Sequence, residues 1–174
     1  MMIAVVFFLV FLTGASFYFY QVAIASTSKD FLSDNPDLEK SVIAESMTAM
    51  EEDPKAWISK QELETIEITS NDGLKLKGYF LKASKPTNKT IIIAHGYSGQ
   101  AKDMGRYARF YYEKLGYHVL LPDARGHGKS DGNYIGFGWH ERKDYLQWIN
   151  VVIERVGEDS SIMLHGVSMG GQLS

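Results

Sequence analysis

Three short apolar runs, each followed by a glycine-containing turn, constrain the fold of this chain more than any other feature. They occupy residues 90–94, 117–121 and 161–165. Wholly apolar runs of this length are typical of strands buried on both faces of a parallel sheet. The segments between them have the periodicity of helices. This alternation of strand and helix predicts an α/β fold built from βαβ units.

The intervening segments supply one apolar face each, and a hairpin precedes them. Residues 64–69 and 74–81 alternate between apolar and polar positions around Asn71-Asp72-Gly73, which predicts an antiparallel β-hairpin. We expect a mostly parallel sheet with this antiparallel N-terminal hairpin and with flanking helices. The helical faces are Met104, Tyr107, Ala108, Tyr111 and Leu115 before Gly116, and Tyr145, Trp148, Ile149, Val152 and Val156 before Gly157.

Residues 1–28 contain no charged side chain. Residues 3–20 are mostly apolar, and 18 residues of helix span about 27 Å, close to the roughly 30 Å hydrocarbon core of a bilayer. Phe17-Tyr18-Phe19-Tyr20 is typical of an aromatic belt at a membrane interface. We expect a signal anchor that crosses the cell membrane once and leaves the following domain outside the cytoplasm. The alternatives are a signal peptide cleaved near Ala25, with secretion, and a buried core helix.

Residues 29–60 are predicted to be a juxtamembrane helical segment. Asn35 before Pro36 is a good helix start, and Ile43, Met47 and Met50 recur at helical spacing before Pro54 closes the run. We expect this stripe to pack on the domain that follows. The predicted organisation is therefore a membrane or signal segment (1–28), a helical connection (29–60) and an α/β domain (61–174).

Composition excludes several classes of function. The 21 acidic and 18 basic residues give a net charge of −3, and no basic face of the kind that binds nucleic acid stands out. The sequence has no cysteine, which removes disulfides, thiolate metal sites and a cysteine nucleophile. The histidines and carboxylates have no spacing typical of metal ligands. We therefore expect no metal, no cofactor and no nucleic-acid partner.

The third apolar run leads directly into Gly166-Val167-Ser168-Met169-Gly170. A G-x-S-x-G sequence between a strand and a helix is the pattern of a nucleophile elbow, in which a strained turn lifts the serine above the sheet. Glycines two residues before and after the serine let the strand and the helix approach closely. Ser168 is therefore the predicted catalytic nucleophile.

A serine nucleophile also needs hydrogen-bond donors for the oxyanion of the tetrahedral intermediate. One donor is normally the backbone N–H of the residue after the serine, here Met169. The other comes from the loop after an earlier strand, where His95-Gly96-Tyr97 follows the first apolar run. We predict Met169 and Tyr97 as the oxyanion hole. A tight turn without chemistry is the alternative for His95-Gly96.

Residues ~62–174 resemble the α/β-hydrolase superfamily because three motifs occur in order behind the apolar runs. More narrowly, they resemble bacterial membrane-anchored or secreted serine hydrolases of the serine aminopeptidase and monoacylglycerol lipase kinds. The resemblance implies attack on an ester, thioester or amide bond of a small-molecule or peptide acyl substrate. It implies structural roles for Asp123 and Arg125 and places His127 in a loop. The motifs are His95-Gly96-x-x-Gly99, Asp123-x-Arg125-Gly126-x-Gly128-x-Ser130 and the elbow followed by Gly171.

In that family the acid and the histidine follow the serine. Here only six residues follow Ser168, and none is Asp, Glu or His. His118 and His165 are expected in the core, and His140 at the start of a helix. We expect the acid and the base beyond residue 174, and this portion alone to be inactive. The alternatives are a truncated, inactive remnant, which could be a membrane-tethered binding module, and an acyltransferase on the same fold.

Overall fold

A five-stranded mixed sheet lies at the centre of the structure, a computed structural model that describes residues 2–25 and 53–173. Its order is β1-β2-β4-β3-β5. The hairpin β1–β2 and the pair β2–β4 are antiparallel, whereas β3 is parallel to β4 and β5. The predicted mixed sheet is confirmed. The strands are β1 (Glu64–Thr69), β2 (Lys75–Leu81), β3 (Lys89–Ala94), β4 (His118–Pro122) and β5 (Ser161–Gly166).

Helices lie on both faces of the sheet and at the N-terminus. Glycines end two of the helical segments as predicted, because Gly116 and Gly157 adopt φ of +68° and +124°. The helices are α1 (Met2–Ala23), α2 (Pro54–Ser59), α3 (Gly105–Arg109) and α4 (Glu141–Val156). A 3-10 turn at Ala101–Met104 and a π-helical turn at Phe110–Lys114 flank α3, and a 3-10 helix at Ser168–Leu173 follows β5.

The strands bury alternate side chains on opposite faces. Ile91 and Ile93 of β3 pack on the side covered by α2 and α3. Ile92 packs on the other side, against Trp148 and its neighbours on α4. All three isoleucines are 0% exposed, and each such side chain contributes about 1.5–3 kcal/mol through burial. The core therefore fixes the register of β3, whose C-terminal end leads to the candidate site.

The first predicted helix is not a uniform α-helix, because a 3-10 turn begins it and a π-helical turn ends it. The π-helical turn at Phe110–Lys114 has more residues per turn than an α-helix. The residues that follow it are therefore rotated about the helix axis, away from the apolar face that the spacing predicts. Met104 and Ala108 are buried as predicted, but Leu115 is 45% exposed. The prediction that Leu115 lies on the buried face is wrong for this reason.

Strand β5 is less buried than its apolar sequence predicts. Within residues 53–173 it pairs with β3 alone and forms an edge of the sheet. Met163 is 46% exposed as a result. The expectation of three fully buried strands therefore holds for β3 and β4 but not for β5 in the described residues.

The N-terminal region begins with α1, whose segment Val5–Ala23 is long and apolar enough to cross a membrane and is 0% buried. A signal sequence would have the same properties. The predicted helix at Asn35, with its apolar stripe, lies outside the described residues. Pro54 begins α2, which Asp53 caps by accepting a hydrogen bond from the N–H of Lys55. Trp57 and Ile58 of α2 are buried in the core, so packing extends before residue 61.

Candidate active site

The predicted elbow lies at the C-terminal edge of the parallel strands, where ligand sites of such sheets form. The N–H of Val167 donates to the carbonyl oxygen of Ala94 over 3.0 Å, so the ends of β5 and β3 are tied together. A Cβ on Gly96 would lie 3.4 Å from the Cβ of Ser168 and 3.9 Å from its Oγ. The first and third sequence motifs therefore meet at the serine.

Ser168 has the backbone conformation expected of an elbow. Its φ is +53°, in the left-handed region that costs a residue with a side chain roughly 1–2 kcal/mol. A Cβ on Gly166 would lie 2.2 Å from the carbonyl oxygen of Gly170. A Cβ on Gly170 would lie 2.5 Å from the carbonyl oxygen of Ala94. Both positions require glycine because backbone carbonyl groups close the turn on either side, which agrees with the prediction from the sequence.

The residues around Ser168 differ in exposure. Ser168 is exposed, whereas Met169 is 7% exposed. The helix that follows is of the 3-10 type over the six described residues, and the N–H of Gly170 bonds to the carbonyl of Val167. On the other side, a Cβ built on Gly96, the neighbour of Tyr97, would touch the Cβ of Ser168. The assignment of the Tyr97 and Met169 N–H groups as oxyanion donors stays a prediction.

His95 joins the ends of β3 and β4 and is 1% exposed. Its Nε2 accepts a hydrogen bond from the N–H of Ala124 over 3.0 Å, so Nδ1 carries the proton and donates to the carbonyl of Gly96. Burial lowers the pKa of His95 to about 4. The bond from Ala124 also needs the unprotonated Nε2. His95 is therefore a neutral structural side chain that fixes the backbone before Gly96.

Asp123 organises the loop after β4. Its Oδ1 accepts from the N–H of Ala101 over 2.8 Å, and its Oδ2 accepts from the N–H of Lys129 over 2.9 Å. A Cβ on Gly128 would lie 2.2 Å from the Asp123 carboxylate, so the loop needs glycine there. The structural role expected for Asp123 agrees with these contacts.

Arg125 is 3% exposed and holds two carboxylates. Its Nε and one terminal nitrogen each donate to Asp144 over 2.8 Å, which makes a bidentate pair. It also donates to Asp72 in the hairpin turn over 2.7 Å, and these bonds hold the pKa of Asp72 well below its usual range. Arg125 thus ties the loop after β4 to α4 and the β1–β2 turn, which is a structural role.

All five histidines have partners other than Ser168. Both ring nitrogens of His127 face carbonyl oxygens, those of Tyr97 at 2.8 Å and Arg125 at 3.0 Å. His118 and His165 are held by Ala83 and by Tyr111 respectively. His140 precedes α4 and its ring packs edge-on against Tyr134. These contacts agree with the expectation that His127 is not the catalytic base.

The end of α1 contacts the loop that carries Tyr97, a relationship that the sequence did not reveal. The Tyr97 hydroxyl donates to the carbonyl oxygen of Ala23 over 2.6 Å, and the Val22 carbonyl oxygen lies 3.2 Å from it. The last carbonyls of a helix have no partner within the helix, so a side chain from another element can satisfy them. The predicted membrane segment is thereby connected to the neighbourhood of Ser168.

A cavity of about 460 Å³ lies away from the elbow. Lys55, Lys102 and Tyr79 are among its lining residues, and Ser168 is not. Two of its lysines have partners, since Lys55 pairs with Asp103 and Lys102 lies over the Tyr79 ring. Within residues 2–25 and 53–173, no group of three or more His, Asp or Glu side chains could hold a metal ion. The elbow therefore remains the candidate site.

Comparison with known families gives a match over the part of the chain that contains all three motifs. The family described as "Serine aminopeptidase, S33" matches residues 85–174, just over half of the sequence. This segment includes the loop of Tyr97, the Asp123 loop and the elbow at Ser168. The match agrees with the resemblance drawn from those motifs.

Individual relatives show the same similarity. The uncharacterised protein YqkD of Bacillus subtilis is 33% identical over 103 residues, which cover 59% of this chain and 33% of YqkD. A thermostable monoacylglycerol lipase of a Bacillus species is 33% identical over 88 residues, covering 48% of this chain and 32% of the lipase. The chain thus spans about a third of the length of these relatives.

Among solved structures, the esterase Pf2001 of Pyrococcus furiosus is similar in fold and sequence. It superposes with a TM-score of 0.56 at 34% identity, over 68% of this chain and 45% of the esterase. An α/β serine hydrolase homologue from Coxiella burnetii superposes with a TM-score of 0.54 at 24% identity, over 62% of this chain and 52% of that one, which concerns the fold alone.

Proposed function

Because this chain belongs to the serine aminopeptidase S33 family of α/β hydrolases, we propose that it is the N-terminal part of a membrane-anchored serine hydrolase with Ser168 as its nucleophile. The target is an ester, thioester or amide carbonyl, and the similar esterase and monoacylglycerol lipase favour the ester among these. The substrate is accordingly a small-molecule or peptide acyl compound.

The φ of +53° at Ser168 carries this proposal. A strained conformation at a residue with a side chain persists only where its surroundings hold it, and such strain clusters at functional sites. Here the surroundings are backbone atoms, since Gly166 and Gly170 leave no room for a Cβ. A serine kept in this turn and exposed at the sheet edge is well placed to attack a substrate.

The proposed reaction proceeds through an acyl-enzyme. Ser168 Oγ bonds to the substrate carbonyl carbon while a histidine accepts its proton. The N–H groups of Met169 and Tyr97 stabilise the oxyanion, each contributing about 3–4 kcal/mol. The tetrahedral intermediate collapses, and the leaving group departs with the proton from the histidine. Water, deprotonated by the same histidine, then attacks the acyl group and releases the acid and the free Ser168 hydroxyl.

The histidine and its orienting acid are proposed to follow residue 174 in the complete protein. Each of the five histidines in this chain has other partners, as described above. The relatives are about three times as long as the aligned part of this chain, which leaves room for both residues. The 174-residue chain alone is accordingly proposed to be inactive.

Hydrolysis of a p-nitrophenyl ester by the complete protein tests the proposal. We expect turnover that Ser168→Ala abolishes, while the variant keeps its circular dichroism spectrum. Equal turnover in both proteins would contradict the assignment of Ser168. A complete protein that binds acyl compounds but releases no p-nitrophenol would favour the second candidate, a membrane-tethered binding module.

The apolar α1 supports the further proposal of a single membrane span with the hydrolase domain outside the cytoplasm. The 174 residues contain no cysteine, so Lys85→Cys in an exposed loop introduces a single reporter into this part. We expect an impermeant maleimide to label it in intact cells, or in the spheroplasts of a Gram-negative host. Labelling only after permeabilisation would reverse the orientation. Recovery in the medium would favour cleavage near Ala25.

A further inference from the structure

We propose that residues 134–139, with Arg142, form a second membrane-contact surface that holds the Ser168 site against the lipid–water interface. The inference rests on the membrane anchoring proposed for α1. The partner of this surface is a lipid bilayer. We call residues 134–139 the aromatic loop, after Tyr134, Phe137 and Trp139.

The aromatic loop is hydrogen-bonded to the residues that directly follow the predicted membrane span. The carbonyl oxygen of Ile24 accepts a hydrogen bond from the N–H of Ile135 over 2.8 Å. Ala25 and Tyr134 form an antiparallel bridge beside it. Ala25 and Ile135 are 8% and 3% exposed, so this contact is closed to solvent. Since the span Val5–Ala23 ends two residues before Ala25, the loop lies where α1 would emerge from the bilayer.

Two aromatic side chains of the loop are accessible to solvent. Phe137 is 43% exposed and Trp139 is 63% exposed. Trp139 follows Ile135 by four residues, so their Cα atoms are at most ~14 Å apart. The hydrogen bond from the N–H of Trp139 to the carbonyl oxygen of Gly136 folds the backbone between them and shortens this distance. Tryptophan is enriched at membrane interfaces because its ring is apolar and its N–H is polar. The position and the side-chain types agree with insertion into the interface.

Hydrogen bonds to the flanking glycines fix the backbone conformation at Phe137. The Glu141 carboxylate is 0% exposed and accepts hydrogen bonds from the N–H groups of Gly136 and Gly138, both over 2.9 Å. These bonds enclose Phe137, whose φ of +49° costs a bulky residue roughly 1–2 kcal/mol. A buried carboxylate thus holds the backbone of a partly exposed aromatic residue in a strained conformation. Strain held in this way clusters at functional and ligand-binding positions.

Arg142 completes the surface with a charge. Its guanidinium lies over the Trp139 ring, 3.9 Å from the ring centroid. An arginine beside an interfacial tryptophan can bind a lipid phosphate while the ring enters the acyl boundary. This combination of a cation and two exposed aromatic rings favours a phospholipid surface over an apolar protein partner.

The surface is connected directly to the candidate site. The Phe137 ring stacks on that of Tyr97, with centroids 5.5 Å apart and planes at 19°. Tyr97 follows Gly96, and a Cβ on Gly96 would lie 3.4 Å from the Cβ of Ser168. A bilayer contact at Phe137 and Trp139 would therefore hold the loop of Tyr97, and with it the exposed Ser168, near the membrane, from which acyl substrates would reach it.

Tryptophan fluorescence tests this surface selectively, because the other two tryptophans of the chain, Trp57 and Trp148, are only 4% and 1% exposed. The protein is reconstituted in phosphatidylcholine vesicles with and without lipids brominated near the top of the acyl chain. The signal of Trp139 is the difference between the wild type and Trp139→Phe. We expect brominated lipid to reduce this signal at least twofold and aqueous iodide to reduce it much less.

A matched control uses Leu115, which is 45% exposed and precedes the N-terminal end of β4, at the edge of the sheet opposite Ser168. Leu115→Trp in the Trp139→Phe background should be quenched by iodide and unaffected by brominated lipid. Quenching of Trp139 by iodide but not by lipid would overturn the inference, as would protection from both, which would indicate a covering protein surface. Equal lipid quenching at both positions would overturn it too, since the contact would not be specific to the loop. Ser168 labelling by a fluorophosphonate in the same vesicles shows separately whether the proposed hydrolase chemistry holds.

Discussion

The hydroxyl of Tyr97 donates a 2.6 Å hydrogen bond to the carbonyl oxygen of Ala23. One residue carries two functions in this arrangement. Its side chain satisfies the end of α1, and its backbone N–H belongs to the proposed oxyanion hole. The end of α1 and the proposed oxyanion hole are therefore connected through Tyr97, and substitution can separate the roles of its side chain and its backbone.

Tyr97→Phe removes the hydroxyl and keeps the backbone N–H. We expect a loss of about 1 kcal/mol in the free energy of unfolding, the typical net value of one hydrogen bond. We also expect the complete protein to react with a fluorophosphonate more slowly, on the order of fivefold, because small displacements near a reacting centre reduce rates. Tyr112→Phe, which alters a partly buried ring next to Trp57, is the control. Equal effects of the two substitutions would remove the special role of the Tyr97 hydroxyl.

Gly170→Ala should disrupt the elbow. The new Cβ would lie 2.5 Å from the carbonyl oxygen of Ala94 and 2.7 Å from that of His95, so the backbone must move. We expect Ser168 labelling to fall at least tenfold, on the reasoning that a displacement of about 1 Å costs up to 100-fold. At Gly171 a Cβ meets only the Gly166 carbonyl oxygen, at 3.7 Å, so Gly171→Ala should keep its reactivity. Similar labelling of the two variants would contradict the described geometry.

Arg125→Ala should be among the most destabilising substitutions. It leaves the carboxylate of Asp144, which is 3% exposed, without its bidentate partner. Breaking a buried ion pair in this way costs about 3–5 kcal/mol. Arg155→Ala, which breaks a more exposed bidentate pair with Glu64, should cost less than about 1 kcal/mol. Urea denaturation measures the loss in the free energy of unfolding for both variants. Equal losses would show that burial does not strengthen the contribution of the Arg125 pair to stability.

We expect the free energy of unfolding to fall as the pH drops below about 6.5, because of His95. Its pKa is about 4 in the folded protein, below the ordinary 6.5. His95 therefore binds a proton more readily in the unfolded chain than in the folded protein. As a result, the folded state becomes less stable as the pH falls from about 6.5 towards 4. The expected contribution is on the order of 2 kcal/mol between pH 8 and pH 5. His95→Asn should show a correspondingly flatter pH dependence of urea unfolding, and an unchanged dependence would contradict the neutral state of His95.

Much of the fold was predictable because its signals are local. The isoleucines of β3 form a short run that is typical of a strand buried on both faces, and Gly116 and Gly157 end helical segments. The π-helical turn that exposes Leu115 was not predictable, because hydrophobic spacing does not record a change in helical pitch. The position of β5 at a sheet edge depends on strand order, which periodicity does not contain.

The candidate site was predictable as far as its chemistry is local in sequence. The glycines around Ser168 indicate the elbow, and the structure supplies the physical reason in the carbonyls that a Cβ would strike. The contact between α1 and Tyr97 was missed, because it joins residues 74 positions apart through one hydroxyl. The role of Glu141 was missed as well, since a glutamate in the first turn of a helix is ordinarily a solvated residue.

Peptide mapping after fluorophosphonate treatment tests the central claim most directly. The complete protein is labelled in membranes, digested and examined by mass spectrometry, with heat-denatured protein as the control. We expect a single adduct on the peptide that contains Ser168, and none on the denatured protein. An adduct on a different serine, or no adduct on protein that is shown to be folded, would contradict it.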